Sequence, residues 1–72
     1  MAQLTVAQYD ALEAAIRDKS RVVVRRRGTE YTVIPERLVL RGRRELIEAR
    51  HPTTGQLLEL WLDEADGLEV VR

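Results

Sequence analysis

Six arginines crowd into two short stretches: Arg25, Arg26 and Arg27 precede Gly28, and Arg41, Arg43 and Arg44 surround Gly42. Eleven of the twelve basic residues are arginine, whose planar fork matches phosphate and carboxylate with paired N–H donors. The chemistry this points to is anion recognition by charge-assisted hydrogen bonds. Tyr31, just beyond the first stretch, offers an aromatic face on which a base can stack. The predicted ligand site is therefore Arg25, Arg26, Arg27, Tyr31, Arg43 and Arg44. Its expected ligand is single-stranded DNA or RNA, or a nucleotide. Glu30 and Glu45 oppose that reading: pairing across their turns with Arg27 and Arg44 would turn the cluster into surface ion pairs of small worth.

Catalytic chemistry has little to work with. His51 is the only histidine and stands beside Pro52 without a local partner to fix its tautomer or share a metal. Ser20 has no histidine within local reach and reads as a helix-end or turn residue. Asp63, Glu64 and Asp66 before Gly67 lack the alternating acids and distant glutamate of a calcium loop, so a polar turn explains them. The four glycines are isolated and build no phosphate cradle. The chain is expected not to be an enzyme and to carry no cofactor or metal. With no cysteine, neither a disulfide nor a thiolate site can form, which suits a reducing cytoplasm. No apolar run approaches the roughly 18 residues of a spanning helix, so no membrane partner is expected.

Zero net charge conceals a polarity along the chain. Residues 1–16 carry −2. Residues 17–50 carry +6, from eleven Lys/Arg against five acids, and residues 51–72 carry −4. This asymmetry suits a surface that attracts an anion on one side and a basic partner, or a second copy, on the other.

The elements that position these side chains start with a helix. Thr5 and Gln8 have the spacing of a capping box, flanked by Leu4 and Tyr9 as a hydrophobic staple. Tyr9, Leu12 and Ile16 then form one narrow apolar stripe, which predicts a packing helix over about residues 5–19. From Arg21 the sequence changes to short alternations rich in β-branched residues. Strands are predicted near 21–27, 30–34, 37–41, 45–50, 57–62 and 68–71. A type II′ turn is expected at Arg27-Gly28-Thr29-Glu30 with Gly28 first of the central pair, and further turns at Gly42 and over residues 51–55. Pro35 should interrupt two strands or lie at an edge. Alternation places Leu58, Leu60 and Leu62 with Val22, Val24, Leu38, Leu40, Ile47, Ala49, Leu68 and Val70 in one core. The expected fold is α+β, a single domain over residues 1–72: an N-terminal amphipathic helix, then a small antiparallel barrel of five to six short strands over about 21–71.

Trp61 has the opposite parity to Leu60, sharing it with Leu57 and Glu59. It can be a second-layer core residue, a self-association contact or a ligand platform. A homo-oligomer or protein interface through Leu57 and Trp61 is the alternative to ligand binding.

In the order of its features the chain resembles the WYL domain, an Sm-like or SH3-like small barrel found in bacterial regulators. The resemblance rests on Leu12-x-x-Ala15-Ile16, Val22-Val23-Val24 and Val33 through Gly42 with Pro35 three residues before Leu38. It continues in Leu46 through Arg50, Leu60-Trp61-Leu62-Asp63 and Leu68-Glu69-Val70. The Trp-Tyr-Leu that names the family reads Glu45-Leu46-Ile47 here, its first-strand tyrosine falls on Arg26 or Arg25, and its arginine before Leu-Asp falls on Leu58. The resemblance implies a regulatory, ligand-sensing barrel, either minimal and stand-alone or a module of a larger protein.

Overall fold

The computed structural model describes residues 4–71. Helix α1 spans Val6–Asp18 and starts on the expected capping box: Thr5 N–H donates to Gln8 Oε1 at 2.9 Å, and Gln8 N–H to Thr5 Oγ1 at 3.1 Å. It ends at Lys19 in the left-handed region, where the N–H groups of Lys19 and Ser20 both reach the Ala15 carbonyl. Its inner face buries Leu12 and Ala15, with Tyr9 and Ile16 half-buried beside them. That stripe lies on the sheet, as a helix of only 13 residues requires for stability in water. No helix of the described residues is long and apolar enough to cross a membrane.

Five antiparallel strands follow: β1 Arg21–Arg26, β2 Thr29–Arg41, β3 Arg44–Arg50, β4 Leu57–Trp61 and β5 Gly67–Val71. Their spatial order is β4-β3-β2-β1-β5. β2 is shared. Its first part, Thr29 to Val33, pairs with β1, and its second, Ile34 to Arg41, pairs with β3. Pro35 therefore does not break the chain into two strands, and one long strand replaces the two expected. The register slips between Pro35 and Arg37, leaving Glu36 as the extra residue of a bulge. A bulge tolerates the missing proline N–H and bends the strand, so Pro35 sits buried near the middle of a central strand.

Thirteen straight extended residues would run about 40 Å at about 3.3 Å each, whereas the domain measures 30 × 25 × 22 Å. The sheet curls accordingly, yet β4 and β5 are not hydrogen-bonded to each other, and the barrel remains open. A 3-10 turn, Leu62–Glu64, carries the chain from one edge to the other; Leu62 belongs to it rather than to β4.

The first hairpin differs from expectation by one residue. Arg26 pairs with Thr29, so the central pair is Arg27-Gly28, with φ of 50° and 79°. Two positive φ values make this a type I′ turn, whose twist matches that of the flanking strands. Arginine accepts the left-handed position here while its N–H bonds Asp66 Oδ2 at 3.1 Å.

Leu12, Val22, Val24, Val33, Ile47 and Leu60 centre the core. Leu40 does not join it. It has the core parity but stands just before the Gly42 turn, past the cover of α1, and is 70% exposed. Leu46 shows the reverse: it lies on the outer face, between Val39 and Trp61 in register, and is fully buried. Val39, Leu46 and Trp61 form a small second apolar layer on the outside of the sheet.

A candidate anion-binding site

Alternation along β1 separates the first arginine cluster. Arg25 points to the outer face and pairs with Glu30, Nη2 to Oε2 at 2.9 Å. Arg26 points the other way, 5.5 Å from the Tyr31 ring centroid, with Nη1 3.3 Å from Glu64 Oε1. Arg27 stands on the turn and makes no ion pair among the described residues.

The second cluster divides similarly. Arg44 lies over Trp61, its guanidinium carbon 4.0 Å from the ring centroid. Its Nε and Nη2 grip Asp63 at 2.7 and 2.9 Å, and Nη2 also reaches Glu64 Oε2 at 3.3 Å. The guanidinium beside it holds the Asp63 carboxyl below its ordinary pKa. Arg43, on the turn, has no ion pair among the described residues. Arg41 pairs with Glu59.

Arg26 and Arg44 thus share one carboxylate. They flank opposite ends of β2, since Arg26 pairs with Thr29 and Arg44 with Arg41. The curl of β2 brings the two arginine hairpins together, and Glu64 spans the gap. Each guanidinium also rests on its own aromatic ring, a contact that orients it independently of the carboxylate. The expected spoilers have other partners: Glu30 takes Arg25 rather than Arg27, and Glu45 accepts a 2.5 Å hydrogen bond from Tyr9 Oη rather than pairing with Arg44.

A cleft of about 350 Å³ adjoins the bridge. Leu4 and Tyr9 line it from the start of α1, Arg43, Arg44 and Glu45 from the hairpin, and Leu62 and Asp63 from the 3-10 turn. The bond to Glu45, with burial second, raises the Tyr9 pKa above 10.0.

Among the remaining predicted residues, Trp61 is half-buried in the second layer, beneath Arg44. Leu57, 48% exposed, shares its face of β4, but Glu59 and its partner Arg41 stand between them. His51 does have local partners: Nδ1 accepts from the N–H groups of Thr53 and Thr54 at 3.2 and 3.3 Å, which fixes the tautomer and shapes the loop. No group of three or more His, Asp or Glu among the described residues is placed to hold a metal.

The helix with its curled five-stranded sheet is similar to part of a solved structure, the proteasome accessory factor B/C (PafBC) of Arthrobacter aurescens. The TM-score is 0.75 at 25% identity, over 96% of this chain and 12% of that one. This likeness is compatible with a WYL-like fold. The chain spans about an eighth of the length of that protein. No family model and no curated protein matches the sequence.

Proposed function

We propose that the domain is a regulatory, ligand-sensing module that binds an anionic ligand across its two arginine hairpins, and that the ligand is single-stranded nucleic acid. It acts by binding, not by turnover. The observation that carries this is the convergence of Arg26 and Arg44 on one carboxylate, with Arg27 and Arg43 as neighbouring cations of the same turns. Two guanidiniums fixed on aromatic rings present N–H donors toward one point, which suits a phosphodiester. Arg27 and Arg43, without an ion pair among the described residues, extend the path for a strand. The cleft beside Arg43 gives a base room next to the phosphate. Likeness to one part of an accessory factor supports a module that serves a larger regulatory protein.

The test is titration of a fluorescein-labelled oligo-dT of about 12 nucleotides at several salt concentrations. Four phosphate contacts predict a log–log slope near −3, at about −0.7 per contact for a single strand. Gln at Arg26, Arg27, Arg43 or Arg44 should each flatten the slope, and Gln at Arg25, which is paired with Glu30 and not with Glu64, should not. Absence of salt-dependent binding overturns the reading in favour of a protein-interaction module using Leu57 and the open edges β4 and β5.

A further inference from the structure

Asp63 and Glu64 are adjacent acids on one 3-10 turn, but their bonds differ. Asp63 engages Arg44 through a fork of 2.7 and 2.9 Å. Glu64 makes one bond of 3.3 Å to each of two guanidiniums, at the long limit for such contacts. Its side chain is a third exposed, and those of Arg26 and Arg44 are 32% and 45% exposed, so solvent reaches the bridge. Removal of Glu64 would leave both guanidiniums in place, because Tyr31 supports Arg26 while Trp61 and Asp63 hold Arg44.

We infer that Glu64 is an internal stand-in for the ligand's anion: its carboxylate occupies the position between Arg26 and Arg44 that a phosphate takes, and binding requires its displacement. This rests on the anion-binding function proposed above and adds the regulation of that site. The swing is confined to the side chain, since buried Leu62 and Ala65 anchor the turn on either side of the acids. Asp63 acts as a positioning residue that keeps Arg44 on Trp61 while Glu64 leaves. Tethered to the 3-10 turn, Glu64 reaches each arginine with one oxygen only at the long limit, whereas the two non-bridging oxygens of a free phosphodiester can settle at shorter charge-assisted distances. The bridge thus occupies both guanidiniums when the ligand is absent and gives way to a ligand able to serve both.

The same labelled oligo-dT tests this in E64Q, E64D and E30Q, each first confirmed to melt like wild type. E64Q should bind about fivefold more tightly or better, within the usual range of coupling between competing contacts. E64D keeps the charge but is one methylene too short to span both arginines, and should also tighten binding. E30Q removes an equal charge from a carboxylate that pairs with Arg25 rather than with Arg26 or Arg44, and should change affinity by less than about twofold. In E64Q the further change R26Q should cancel the gain. Wild-type binding with E64Q no tighter than E30Q overturns the stand-in and leaves the binding function intact. Failure of wild type and E64Q alike to bind overturns both.

Discussion

Arg44 covers Trp61 with its guanidinium carbon 4.0 Å from the ring centroid, while the fork of the same guanidinium holds Asp63. This contact joins β3, β4 and the 3-10 turn, and it roofs Leu46, the buried residue of the outer layer. One arginine therefore serves packing and charge placement together, through its apolar stem and its planar head. It also provides an optical reporter, since Trp61 is the only tryptophan in the chain.

Weakening that fork should be visible in fluorescence before it is visible in stability. In D63N the fork of Arg44 loses its charged partner and the stack loosens, so Trp61 emission should shift to longer wavelength with the melting temperature little changed. Acid should do the same to wild type. Asp63 is held below its ordinary pKa of 3.8 by Arg44, and Glu48 below 4.5 by Arg37. Each contribution is complete above the ordinary value and is lost as pH falls through the lowered one. Emission and stability should thus stay level from neutral pH to about 5 and decline below it, with high salt reducing the pH dependence. An emission maximum unmoved in D63N would mean that Trp61, not the ion pair, holds the arginine.

The sequence displayed some of this and concealed the rest for definite reasons. The helix start was legible because a capping box is local, four residues that satisfy each other's donors. The division of Arg25 from Arg26 was also legible, as strand neighbours point to opposite faces, although grouping by composition placed them in one site. Pro35 misled because the loss of an N–H reads locally as a break, whereas β2 passes from one partner strand to another at that point. Leu40 had the right parity, but parity cannot say how far a helix covers a face. The links Arg44–Asp63, Arg26–Glu64 and Tyr9–Glu45 join residues 19, 38 and 36 positions apart and depend on the curl itself.

Leu46 and Leu40 offer a direct comparison of burial against composition. Leu46→Ala removes a fully buried side chain and should cost about 2–5 kcal/mol in chemical denaturation, the usual range for a core leucine. Leu40→Ala removes one that is 70% exposed and should change stability by no more than about 0.5 kcal/mol. Equal costs would mean that the outer layer around Trp61 is not packed as described.

Tyr9 is the polar tie between the helix and the sheet, donating to Glu45 across one side of the cleft. Removal of the hydroxyl in Tyr9→Phe keeps the ring against the core and deletes only this bond. A partly exposed bond to a carboxylate should be worth about 1 kcal/mol, since solvent screens it and can replace the lost donor. Its pH dependence has a fixed sign. The bond raises the phenol pKa above its ordinary 10.0, so the stabilisation is complete below pH 10 and disappears as pH rises through the raised value. Wild type should accordingly be more stable than Tyr9→Phe at pH 7, and the advantage should vanish in strong alkali, where a phenolate beside Glu45 repels it. A difference that is independent of pH would show that the hydroxyl acts through packing instead. Because Tyr9 lines the cleft without touching the Arg26–Glu64–Arg44 bridge, the salt slope of oligonucleotide binding should be unchanged in the variant, separating the tie that shapes the cleft from the cations that charge it.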